Sequence, residues 1–295
     1  TIRSDKHPIS VVFSSVMKAN SKVVFKSGDS SVVPGLQVAE KSILLTLAYS
    51  AQFKHGLSLQ QLYTRLVVPS QVRFPEILIL SEETFFKALA VLVTKKLVKK
   101  ERGMYQLSSV SITRFPDLSQ KEIEITRLVS FAKWIPWVSA VVITGSVAAG
   151  TIRAHDDIDF LIITQKNRLW LVRPLIVLFG LIQGKRRTWH KEEPDSWCFN
   201  FWLDESALAM SRDRRTIYTA YELCQAKFVF DRSSRQIERR FLAANTWVGS
   251  RLPHFFAYRW HEAFGKVGER GFKKDRVLNF FFDFLNSLAY RVQYL

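Results

Sequence analysis

The residues best suited to chemistry lie in one segment, VVITGSVAAGTIRAHDDIDFLIIT, between Val141 and Thr164. Asp157 and Asp159 stand two apart at the head of an apolar, β-branched run. On a strand this spacing puts both side chains on one face, roughly 7 Å apart from Cα to Cα, while Ile158 and Phe160 turn to the core. Two like charges held side by side repel unless a cation offsets them. Such a pair can share Mg²⁺ ions that activate an attacking hydroxyl and stabilise a leaving pyrophosphate in an in-line displacement. Upstream, Gly145 and Ser146 make a tight turn into a short helix that Gly150 closes. Glycine lets the backbone approach a phosphate closely, and the amides at the helix start, with the Ser146 hydroxyl, can hold anionic oxygens.

Two strands must carry this turn. Val138 to Thr144 is β-branched and follows Pro136, which stops a helix over 120–134 marked by Ile123, Ile125, Leu128, Val129 and Phe131. The second strand runs from Asp157 to Thr164. An apolar helix over 168–183, a basic turn (GKRRTWHK) and a strand-like run (SWCFNFWLDE) follow. The sequence therefore divides into a polar segment 1–37, a helical and hairpin region 38–110, a mixed core 111–205 and a helical region 206–295 with loops near Gly249 and Gly265–Gly271. Within 38–110, helices are expected over Val38–Ser50, Leu57–Leu66 and, capped by Ser81, up to about Val98. A short hairpin is expected around Gly103.

Gly-Ser, a Gly four residues past the Ser, and Asp-x-Asp leading an apolar strand together resemble the signature of the DNA polymerase β-like nucleotidyltransferase superfamily. Asp157 falls twelve residues after Gly145, the spacing usual in bacterial members, and the resemblance is strongest over 120–205. It implies an α+β fold: a small mixed β-sheet nucleotidyltransferase core with flanking helices, preceded by a winged-helix-like domain and followed by a helical region. It also implies transfer of an NMP from an NTP to an acceptor hydroxyl, with Asp157 and Asp159 holding Mg²⁺ or Mn²⁺ and Gly145, Ser146 and Arg153 meeting the triphosphate. The competing expectation is a catalytically silent fold that serves as a nucleic-acid-binding or regulatory module.

The family adds a third carboxylate from a later strand, and here the pattern breaks. The expected position carries Asn200, whose amide oxygen can ligate but brings no charge. Asp195, Asp204 and Glu205 are the alternative third acids. His155 could join Arg153 at a triphosphate, and Lys185, Arg186 and Arg187 could steer nucleotide or RNA. The two cysteines and six histidines show no metal-ligand spacing, so zinc is not expected. Trp134, Trp137, Trp197 and Trp202 read as packing residues.

Charge sharpens the choice of partner. Residues 1–110 hold 15 Lys/Arg against 7 Asp/Glu, residues 111–205 hold 12 against 11, and residues 206–295 hold 16 against 8. Two basic flanks around a near-neutral middle suit a polyanion, with RNA favoured and DNA open through the winged-helix-like region. Cys198 and Cys224 are too few for a disulfide framework, which with the polar opening decapeptide points to the cytoplasm. The apolar stretches 169–182 and 277–290 carry charged or polar residues, or Pro174, and read as core helices rather than membrane spans. The opening Thr1 and the apolar helical close suggest a piece of a longer product.

Overall fold

The computed structural model describes residues 34–69, 80–111, 119–151, 156–186 and 195–264. The chain is mixed α+β and divides into two units, residues 1–114 with 249–258, and residues 115–248 with 259–295.

The first unit is three helices followed by a hairpin: α1 (Pro34–Gln52), α2 (Leu59–Thr64), α3 (Glu82–Thr94), β1 (Val98–Glu101) and β2 (Met104–Leu107). Ser58 and Gln61 form a reciprocal capping box at α2, and the Ser81 hydroxyl accepts from the Thr84 amide at the start of α3. These caps satisfy amides that have no partner within the helix. In α3 the buried residues Phe85, Ala88, Leu89 and Leu92 follow the spacing of one helix face and meet Ile43 and Leu47 of α1 in a common core. The hairpin turns on Arg102 and Gly103, at φ +51° and +81°. Positive φ at both central positions gives a turn whose twist matches the strands it joins.

The second unit holds a four-stranded mixed sheet in the order β5-β4-β3-β6. Its elements are α4 (Ser119–Trp134), β3 (Val138–Ile143), α5 (Gly145–Ala149), β4 (Ile158–Thr164), α6 (Leu169–Ile182), β5 (Trp197–Asp204), α7 (Ile217–Gln225), β6 (Lys227–Asp231) and α8 (Gln236–Ala244). A last helix, α9, runs over Pro253–Phe264, of which residues 253–258 belong to the first unit. Every residue of β3 is buried, as a strand flanked on both sides requires. It runs antiparallel to β4 and to β6, whereas β4 and β5 are parallel. A parallel pair needs a crossover, which α6 supplies. Leu128 and Ala132 of α4, Val147 of α5 and Val172 and Ile176 of α6 close the core against Val141, Phe160, Ile162 and Trp197.

Two expectations are corrected. The region after residue 206 is not wholly helical, because Lys227–Asp231 adds the fourth strand. This five-residue run of alternating aromatic and β-branched character is too short to stand out between two helices. Trp134 is 84% exposed: it ends α4 and projects into solvent, while Trp197 is buried and Trp137 and Trp202 pack on the core.

Candidate functional site

Strand pairing builds the site. The Thr144 amide donates to the Asp159 carbonyl and the Ile158 amide to the Ser196 carbonyl, which fixes the acidic segment between its neighbours. Asp159 lies opposite Cys198 in the parallel β4–β5 register, just before a shift that next pairs Leu161 with Phe201. One carboxylate oxygen each from Asp157 and Asp159, and the Cys198 sulfur, all lie within 4.8 Å of one another. Both acids are half-buried and the cysteine is buried.

Gly145 closes over this group. It starts α5 at φ +64°, and a Cβ placed on it would come within 2.1 Å of Asp159 Oδ2. Only a residue without a side chain lets the turn lie this close to the carboxylate. Gly150, at φ +73°, ends the helix.

A third carboxylate enters from α7, where sequence reasoning did not place one. Glu222 Oε2 accepts the Gly145 amide proton at 3.1 Å. Burial pushes the Glu222 carboxyl above its ordinary range; the Gly145 hydrogen bond opposes that, and the Asp159 charge adds to it. Tyr218, one turn earlier on α7, is pushed up to about 12 by burial and by the charges of Glu222 and Asp159. Asp159 and Glu222 thus bring two acidic groups against Gly145.

The alternative third acids are engaged elsewhere. Asp195 pairs with Lys121 at 2.7 Å, and Lys121 also donates to the Asp156 carbonyl. Asp204 accepts from the Asn167 amide and from the amide and hydroxyl of Ser206. Glu205 accepts from Ser139 and Arg240. Asn200 lies in β5 beyond Cys198, but its side chain is outside the described residues, as are Arg153, His155 and Arg187. Lys185 pairs with Glu124 at 3.4 Å.

Two carboxylates and a thiol converging beside a bare glycine fit a divalent cation in general. The carboxylates offset its charge, and the sulfur suits an ion softer than Mg²⁺. Cys198 escaped the sequence reading because it carries no ligand spacing of its own; pairing with Asp159 brings it in. Comparison with protein-family models, curated proteins and solved structures finds no match to this chain.

Proposed function

We propose that the chain is a metal-dependent nucleotidyltransferase that moves an NMP from an NTP to an acceptor hydroxyl and releases pyrophosphate, with RNA the favoured acceptor. The observation that carries this reading is the convergence of Asp157 and Asp159 on one strand edge, against a glycine turn that has no room for a side chain. In this reading Asp157 and Asp159 hold a divalent cation, which when bound supplies positive charge to the triphosphate and acidifies the acceptor hydroxyl. Gly145 and Ser146 orient the triphosphate at the start of α5. Because the Gly145 amide already donates to Glu222, an incoming phosphate competes with that carboxylate.

The helices and hairpin of the first unit support a winged-helix-like module, with exposed Lys96, Lys100 and Arg102 facing phosphates. Among the described residues no helix is long and apolar enough to cross a membrane. The Glu222 contact favours one second reading, a silent fold that binds nucleic acid without transfer.

Incubation of the whole chain with each labelled NTP, Mg²⁺ or Mn²⁺ and total cell RNA tests the proposal. Label should enter RNA, and Asp157→Asn or Asp159→Asn should lower incorporation at least ~1000-fold, since charge stabilisation of the transition state is lost. RNA binding without metal-dependent NTP binding would favour the silent fold.

A further inference from the structure

Cys198 is the donor that the nucleotidyl-transfer reading leaves unused. It lies on β5 directly across from Asp159, only 7% exposed, and its sulfur is within 4.8 Å of an oxygen from each aspartate. Backbone pairing fixes its Cα, so the approach of the sulfur does not depend on a long flexible side chain. Around one four-coordinate ion with M–S near 2.3 Å and M–O near 2.0 Å, donor atoms stand roughly 3.5 Å apart. The observed separations, none above 4.8 Å, exceed that by about 1.3 Å at most. The acids that the sequence offered for a third oxygen, Asp195, Asp204 and Glu205, make ion pairs and caps instead, and the Glu222 carboxylate accepts from the Gly145 amide.

We propose that Cys198 is the third protein ligand of this site, and that the site selects a thiolate-accepting ion (zinc or cobalt) over Mg²⁺. Mg²⁺ takes oxygen ligands in a strict octahedron and gains little from sulfur, whereas affinity for a site with a thiolate rises through the first transition row from manganese to cobalt. On binding, the S–H bond breaks, its proton passes to solvent, and the sulfur lone pair forms the metal bond; no oxidation occurs. The proposal rests on Asp157 and Asp159 as a metal-holding pair and is independent of which group is transferred.

The test is a Co²⁺ titration of the chelator-treated full chain, read by near-ultraviolet absorption. A thiolate-to-cobalt charge-transfer band should grow to one equivalent. Cys198→Ser should abolish it and Cys224→Ser should leave it unchanged. Asp159→Asn should weaken Co²⁺ at least tenfold. Zn²⁺ near stoichiometry should displace the cobalt, and a hundredfold excess of Mg²⁺ should not. Cys198→Asp provides a second variant should the serine variant fail to fold: it should lose the band and raise Mg²⁺ affinity at least tenfold. Cobalt uptake without the band, displacement by Mg²⁺ as readily as by Zn²⁺, or no cobalt uptake would each overturn the assignment. A band in a chain that neither binds nor transfers nucleotide would leave the ligand set standing and refute nucleotidyl transfer. Mg²⁺-dependent transfer with no band would do the reverse.

Discussion

Each unit of the chain contains a tight turn on a glycine at positive φ, Gly103 at +81° and Gly145 at +64°. Their surroundings could hardly differ more. Nothing lies within 4 Å of where a Cβ on Gly103 would stand, while a Cβ on Gly145 would strike the Asp159 carboxylate at 2.1 Å. The first glycine answers only to the backbone; the second answers to a side chain from another strand. Left-handed φ marks a turn, and only the close approach marks a place where the turn and an acid form one structure. The largest contrast should come from alanine at each. Gly103→Ala should cost about 1–2 kcal/mol through its φ and leave metal binding alone. Gly145→Ala adds a clash that must move either the turn or Asp159, so it should weaken metal binding at least tenfold besides destabilising the second unit. Urea unfolding and cobalt titration of both variants check this; equal metal affinity in the two would break the contrast.

Around Gly145, charge is the next quantity to change. The Glu222 carboxylate accepts from the Gly145 amide and, with Asp159, places two acids beside the turn. Glu222→Gln keeps an oxygen that can accept from Gly145 while removing the charge. Metal–NTP should then bind about tenfold more tightly, since one anion no longer competes with the phosphates. Calorimetry with a non-hydrolysable NTP measures it. Unchanged or weaker binding would mean that Glu222 only supports the turn.

The same contrast explains how far the sequence could be read. The helices of the first unit and its hairpin were legible because their signals are local: helical periodicity, the Ser81 cap and the Gly103 turn; the capping box of Ser58 with Gln61 was not read, and the second helix starts two residues later than expected. The Gly145 turn and the Asp157–Asp159 strand were legible for the same reason. Cys198 and Glu222 were not. Parallel pairing across a helix brings Cys198 beside Asp159, and Glu222 reaches Gly145 from 77 residues away. A signal did exist for Glu222: on α7 it sits among buried Tyr221, Leu223 and Cys224, an acid where burial is costly without a partner. Nothing local marked β6 as the fourth strand.

Acid should separate the two units. His55, in the first, is lowered from 6.5 to about 4 by burial and by the Arg65 charge, and burial lowers His254 as well. A histidine with a depressed folded value is neutral in the folded unit and protonated in the unfolded chain between about pH 6.5 and 4. Stability is therefore full above that window and is lost as pH falls through it. For His55 this amounts to about 3 kcal/mol at complete burial and roughly half that for a ring still touched by water. Glu222 acts in the opposite sense, because its raised carboxyl lets the folded second unit take up a proton. All eight tryptophans lie outside residues 1–114 and 249–258, so their fluorescence reports the second unit alone. Between pH 7 and 4.5 the urea midpoint by circular dichroism should fall while the tryptophan midpoint moves less. His55→Gln should remove much of the difference; coincident midpoints at both pH values would refute it.

The smallest expected effect concerns the hairpin of the first unit as an RNA-facing surface. Lys100 and Arg102 are exposed; Lys100 lies over the Tyr105 ring at 5.5 Å, and Arg102 already occupies a left-handed turn position. Lys100→Gln with Arg102→Asn removes both charges without new strain, because Asn-Gly is well suited to this turn. Each cation that meets a phosphate releases a counterion, so the slope of log affinity against log salt should shrink by about 0.7 per lost contact on a single strand. Two contacts predict a loss of about 1.4 in slope, a several-fold weakening at low salt and almost none at high salt. The Gly145 pocket, in the other unit, should bind metal–NTP as before. Filter binding of a labelled single-stranded RNA across a salt series separates the outcomes. An unchanged slope would make these two cations ordinary solvated charges and move any RNA contact to another basic surface. A reduced slope together with weakened metal–NTP binding would show that the two units do not act independently, and the division of labour between hairpin and pocket would fail.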